Sequence, residues 1–477
     1  MVGKVGQAGH EAEGTRPIQP LRGVGKVGQA VHEAEGCRTE CMSSPIMRAS
    51  IHWFTMEGMF REDGTEAFMG GDRIVGNVAE RELEGIVLDR RALHRIPELG
   101  FELPETIAYI EGALAGLSCE VTHPCKSCVC AFFDVGRDRT TVIRADMDAL
   151  PITEATGVPF ASEHEGRMHA CGHDAHMAMA LAAARYVDAE LLAHPESLPR
   201  NILFVFQPAE ETTGGARIVC ESGVFERYGA DRIFGFHVWP DLPAGTIASR
   251  PGALLARSSE VHVAIHGRST HVAKTYGIPG GELQDALMAA AHFLTGERWL
   301  ARMLQQDEPM VCMFGQLEAG TACNAVADEA RLAGSLRTFS DEMDERARRE
   351  VEAKLKEACE SLGCTYEIEF SAGYPPVEND AALFELAAGA LPELQILDEP
   401  LLISEDFSFY QRHLPGVFLL LGVGSKEYAD DAATDPVELP AGSLGYAGSA
   451  LHTSTLMFDE RILLRGLSFY KRLVHLA

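Results

Sequence analysis

The sequence predicts an α/β domain interrupted by a smaller α+β insertion. Three observations predict it. Short apolar runs alternate with helix-like stretches from about 129 to 238, the pattern of an inner sheet covered by helices. Near residue 255 the runs change to in-out alternation, and a long amphipathic stretch follows them. A strongly apolar run, VFLLLGV at 417–423, then restores the first pattern, so the chain leaves the first domain and returns to it.

Each element follows from its residues. Residues 83–114 read as largely helical, broken near Pro97 and Pro104. VCAFFDV (129–135) and TTVIRAD (140–146) read as strands, the second ending in polar residues. AHMAMALAAARYVDA (175–189) has the alanine and methionine content of a buried helix. NILFVF (201–206) is a strand that runs directly into QPAEE, and IFGFHV (233–238) is another. Polar residues gather just after these strands, where open α/β sheets place their sites. In the insertion, EVHVAIH (260–266) and ARLAGSLRTF (330–339) alternate like half-buried strands. Met343, Ala347, Val351, Leu355, Ala358 and Leu362 recur at helical spacing, and Gly363 can close that helix. Two helices and about four strands make a small domain whose outer strand suits dimerisation. The expected organisation is a tail at 1–78, a main domain at 79–252 and 371–477, and an insertion at 253–370.

The chain has 477 residues, too many for one ordinary core. Hydrophobic residues are 46% and charged residues 23%, a globular composition. The net charge of -29 repels phosphate backbones and anionic membranes, so neither nucleic acid nor membrane is an expected partner. No run approaches the roughly 18 apolar residues of a membrane span. There is no signal-peptide pattern, so a cytoplasmic location is expected. VGKVGQAGHEAEG (2–14) recurs as VGKVGQAVHEAEG (24–36), identical at twelve of thirteen positions. Two copies with few large apolar residues cannot stack as a solenoid, so the segment reads as a disordered or extraneous tail. Cys125, Cys128 and Cys130 form a CxxCxC cluster; no second CxxC or histidine pair completes a zinc site, and small half-buried residues before a strand are expected.

The densest chemical signal is MHACGHDAH (168–176). Cys171 and His173 are two apart around Gly172, which permits a tight turn, and Asp174 and His176 lie beside them. Glu210 and Glu211 follow a buried strand, where adjacent carboxylates are costly unless a cation compensates them. One can bind metal while the other handles a proton. His237 in GFHVWP and His452 in LHTST are weaker signals alone. Together Cys171, His173, Glu211, His237 and His452 exceed one tetrahedral site with an open position, and suit two divalent ions bridged by a ligand and a water. Zinc or manganese is expected, with cobalt or nickel also compatible with mixed N, O and S ligands.

Several further stretches carry a resemblance: LHRIPELGFELPET (93–106), RADMDALPITE (144–154), FQPAEE (206–211), IHGRSTHVAK (265–274), EAGTACNAVAD (318–328), SEDFSFY (404–410) and LHTSTLMFDE (451–460). With the motifs above they resemble, in order and spacing, the amidohydrolase branch of the M20 metallopeptidase family, over about residues 80–477. That branch includes aminoacylases, hippurate hydrolases, indole-acetyl amino acid hydrolases and N-acetyldiaminopimelate deacetylases. The resemblance implies a mixed-sheet catalytic domain with helices on both faces. It also implies an inserted dimerisation domain, a four-stranded antiparallel sheet with two helices. It implies that Cys171, His173, Glu211, His237 and His452 ligate two metals, Cys171 bridging, with Glu210 as general base. Asp148 would orient a ligand histidine. His271, in relatives often acting across the dimer, and Asn324 and Arg337 would meet the substrate. The expected activity is hydrolysis of an N-acyl amino acid by a homodimer or higher oligomer. The alternatives are a dipeptidase or aminopeptidase with the same site, or a non-catalytic metal-binding protein. The insertion departs from the common pattern at STHVAK, TACNAVAD and GSLRTF, which leaves the acyl group and amino acid open.

Overall fold

The computed structural model describes residues 71–212, 214–424 and 450–477; the repeated N-terminal segment lies outside them. Two helices, Gly71–Arg95 and Pro104–Leu114, come first, separated at the Pro97 to Pro104 stretch. The strands in chain order are β1 (Glu120–Thr122), β2 (Val129–Phe133), β3 (Thr140–Asp146), β4 (Asn201–Gln207), β5 (Ala230–Pro243), β6 (Ile247–Ser249) and β7 (Gly252–Leu255). They continue with β8 (Arg257–His266), β9 (Val311–Ala319), β10 (Glu329–Thr338), β11 (Thr365–Phe370), β12 (Val377–Asn379), β13 (Gln395–Ile396) and β14 (Gly416–Gly424).

The larger sheet runs β1-β2-β4-β3-β5-β14-β6-β13. Its centre is parallel, since β3 pairs β4 and β5 in that sense and β5 pairs β14, while β2 and β6 join antiparallel. Period two sorts its side chains into two cores. Ile202, Phe204 and Phe206 of β4 and Val417, Leu419 and Leu421 of β14 meet the helices Gly71–Arg95, His173–Ala193 and Leu463–Val474 on one face. Leu203, Val205, Phe418 and Leu420 point the other way, toward the short helices Gly215–Glu221 and Ser408–Gln411. Both faces are therefore covered, which is why these strands read as continuous apolar runs.

The smaller sheet is antiparallel, ordered β11-β8-β10-β9. Val261, Val263 and Ile265 alternate inward along β8 and share a separate core with helices Ala286–Leu304 and Asp341–Ser361. Ser340 caps the second of these, its Oγ accepting from the Met343 amide at 3.1 Å. The other face of this sheet carries Ser258, His262 and Arg337 and turns toward the ends of the main strands. Some strands run longer than their apolar patterns; β5, whose pattern covers 233–238, spans Ala230–Pro243. Beyond Gly235 its ladder partner is β14 alone, so amides on its other side have no ladder acceptor, and prolines are tolerated as on an edge.

Candidate metal centre

The site forms where β3, β4 and β5 end. Each strand delivers polar residues just past its last buried apolar side chain, and helix His173–Ala193 starts above them. Gly172 precedes that helix with φ 89°, and a Cβ there would lie 2.4 Å from Val238 Cγ2. The glycine thus lets Cys171 and His173 close onto β5. Gly172→Ala combines a left-handed strain with a clash. It is expected to destabilise the protein by about 2–4 kcal/mol and weaken metal retention. Thermal unfolding and metal content after dialysis check both effects; native values for both would refute the packing argument.

Two further backbone outliers aim the site. Ala209, in QPAEE, has φ 57°, and His452 has φ 60°. Both are non-glycine residues in a sparsely populated region, a feature concentrated at functional sites. The His452 amide donates to the Ala170 carbonyl at 2.8 Å, which pins LHTST against MHACGHDAH.

Backbone carbonyls fix the imidazole tautomers. His173 Nδ1 lies 2.7 Å from the Asp148 carbonyl, and His237 Nδ1 lies 2.6 Å from the Val238 carbonyl. A carbonyl only accepts, so each Nδ1 carries the proton and each Nε2 keeps its lone pair. His237 Nε2 is 3.3 Å from Cys171 Sγ. His173 Nε2 is 3.8 Å and His452 Nε2 3.3 Å from Glu211 Oε1. Cys171, His173 and His237 can place their ligand atoms within 4.8 Å of one another, and so can Cys171, Glu211 and His452. Cys171 is common to both triads. His173 Nε2 and Glu211 Oε1 are buried without a hydrogen-bond partner. Orphaned buried acceptors around a thiol fit divalent cations. Burial, then the Glu211 and Glu210 carboxylates, push the Cys171 thiol well above its usual range, so its thiolate needs a nearby positive charge.

The neighbours in the same motif turn elsewhere. His176 Nδ1 pairs with Asp146 at 2.6 Å, and its Nε2 accepts from the Val238 amide at 2.9 Å, which uses both nitrogens. Asp174 points away, to His94 at 2.8 Å and Arg90 at 3.1 Å. Asp148 behaves differently from the expectation. Its main-chain carbonyl orients His173, while its carboxylate accepts from the Glu210 and Glu211 amides at 2.9 and 3.2 Å. Its nearer oxygen is 3.8 Å from His173 Nδ1, too far to compete with the carbonyl.

Glu210 is buried beside Glu211, and its carboxylate also clusters with Glu405 and Asp406. Burial, then Glu405 and Glu211, hold its proton affinity well above that of an ordinary carboxylate. Behind it lies a group not anticipated from the sequence. Arg144, fully buried, donates to Gln207 at 2.8 Å, Asp146 at 2.6 Å, Glu405 at 2.8 Å and Asp406 at 2.9 Å. The only signal for it was a charged residue inside a strand otherwise buried on both faces.

A cavity of about 1140 Å³ opens over Cys171, Glu210, Glu211, His237 and His452 and is roofed by the smaller sheet. Arg337 lines it, held by Ser404 Oγ at 2.8 Å and Ser335 Oγ at 3.2 Å. Met313, Leu402 and Ile403 give it an apolar wall. His271 and Asn324 do not line it. They lie on two neighbouring loops, after β8 and between β9 and β10, joined by the Val272 amide donating to the Asn324 carbonyl at 3.0 Å.

Residues 142–452 match the profile of Peptidase family M20/M25/M40. The chain is 35% identical over 357 residues to an N-acetyldiaminopimelate deacetylase of Halalkalibacterium halodurans, covering 73% of this chain and 93% of the relative. It is 37% identical over 347 residues to the deacetylase of that name from Streptococcus sanguinis, covering 70% and 89%. Among solved structures it resembles the Bacillus subtilis YXEP protein, a dinuclear metal binding peptidase from the M20 family. There the TM-score is 0.68 and the identity 29%, over 83% of this chain and 98% of the other. Among the described residues no helix is long and apolar enough to cross a membrane.

Proposed function

The chain belongs to peptidase family M20/M25/M40, in the amidohydrolase branch related to N-acetyldiaminopimelate deacetylases, and from that premise we propose that it hydrolyses the amide bond of N-acyl amino acids. The observation that carries this reading is the pair of triads sharing Cys171, with Glu210 beside them. In this reading Cys171, His173, Glu211, His237 and His452 would hold two divalent ions, zinc or manganese first. Bound there, such ions would supply Lewis-acid polarisation of the amide carbonyl and a lowered pKa for a water. Glu210 takes the proton of the attacking water and returns it to the leaving amine. Asp148 holds the two glutamates in place through their amides. Arg337 pairs with the substrate carboxylate, for which a guanidinium fork is matched. Products are a carboxylate and a free amino acid. The outer strand β9, with Leu317 exposed, is the edge for a second copy. His271 and Asn324 contact substrate only if such a copy brings them.

The test is a chelated preparation assayed on N-acyl amino acids and dipeptides, with each metal restored in turn. Amino acid release from the N-acyl substrates is expected to fall to background after chelation and return with zinc or manganese. Release that survives complete metal removal would refute the reading, and release mainly from dipeptides would move the substrate class to peptides.

A further inference from the structure

The CxxCxC cluster, far from the ligand set in sequence, takes a definite shape. Residues 125–128 form the turn between β1 and β2, the Cys128 amide donating to the Cys125 carbonyl at 3.3 Å and Ser127 adopting φ 58°. A turn of this kind brings its first and fourth Cα atoms to within about 7 Å. Disulfides span roughly 4.4–6.8 Å between Cα atoms, so the backbone already approaches that reach. The turn is tied down, Ser127 Oγ donating to the Phe101 carbonyl at 2.6 Å and Lys126 pairing with Glu102 at 2.5 Å. Cys128 Sγ is 3.9 Å from Cys130 Sγ, and both are buried. Cys125 is half-buried and open to small reagents.

We propose that Cys125 and Cys128 form a thiol–disulfide site whose co-reactant is a low-molecular-weight disulfide. Cys125 is the accessible nucleophile and Cys128 the resolving thiol. Cys125 sulfur attacks one sulfur of the reagent, forming a mixed disulfide, and the displaced thiolate leaves and takes the proton. Cys128 sulfur then attacks Cys125 sulfur and displaces the second small thiol. Two protein thiols are oxidised to one disulfide, and the reagent is reduced to two thiols. The environment divides the roles. A hydrogen bond from Cys128 lowers the Cys125 thiol's pKa against its partial burial. Cys128 is pushed well above the usual thiol range by its bonds to Cys125 and Cys130 and by burial. The thiol with more thiolate character attacks first.

The folded full-length chain is incubated with oxidised glutathione, remaining thiols are blocked, and trypsin fragments are mapped by fragment-ion mass spectrometry. Trypsin cuts after Lys126, so the proposed link joins two peptides. The expected result is loss of two thiols as a Cys125–Cys128 disulfide, reversed by dithiothreitol. It should form on the order of tenfold faster than any reaction of buried Cys220 or Cys312. Cys128→Ser should stop at glutathione on Cys125, and Cys130→Ser should still form the link. Glutathione persisting on Cys125 of the unaltered chain, no reaction there, or a link forming only as fast as Cys220 reacts would each overturn the proposal.

Discussion

Glu210→Gln is expected to lower kcat by about 10³-fold, within the range that a general base contributes. Glutamine keeps the shape and leaves the amide to Asp148 in place. What it loses is the ability to take and return a proton. The residue is buried among Glu211, Glu405 and Asp406, so removing its charge relieves repulsion. The variant should therefore unfold at the native temperature or higher and retain its metal. His237→Ala is the contrasting change. It removes a nitrogen whose tautomer is fixed toward Cys171, and both metal and activity should be lost. Steady-state kinetics with metal content by elemental analysis separate the two. Near-native turnover in Glu210→Gln would end the assignment of Glu210 as base. Metal loss in that variant would make Glu210 a ligand instead.

The parts legible in the sequence were those written in contiguous residues. MHACGHDAH and QPAEE announce themselves because several ligand-type residues crowd onto one strand or helix end. The return of the chain at 417–423 was readable because a strand buried on both faces must be apolar throughout. Register was not readable, and it decides the fate of His271 and Asn324. β8 and β10 pair with Ser258 opposite Arg337 and His266 opposite Glu329. Four residues of strand, about 14 Å at about 3.4 Å each, separate His262, the last residue of β8 to line the cavity, from His266, where the chain leaves for the His271 loop. Asp148 is legible only in part for a related reason. Residue type shows that a carboxylate is near, while only coordinates show that a backbone carbonyl reaches the imidazole first.

The buried arginine is where sequence reading reached least, because its partners Glu405 and Asp406 lie more than two hundred residues away. It supports the other large expected effect. Arg144→Met should destabilise the protein by about 3–5 kcal/mol, the cost of removing one member of a buried ionic group. The size follows from what stays behind. Asp146, Glu405 and Asp406 would lie together with no guanidinium among them, all fully buried or nearly so. Burial already raises Glu405 and Asp406 above the ordinary carboxylate range even with the arginine present. Arg144→Lys should recover only part of the loss, since an ammonium is a point charge and cannot serve four acceptors spread around a planar fork. Asp146 also steadies His176, and Glu405 lies beside Glu210, so both variants should lose turnover as well as stability. At about 1 °C per kcal/mol for a chain of this length, the methionine variant should melt about 3–6 °C lower. A methionine variant that melts with the native protein would show that the carboxylates are neutral or re-paired in solution, and the charge hub would have to be abandoned.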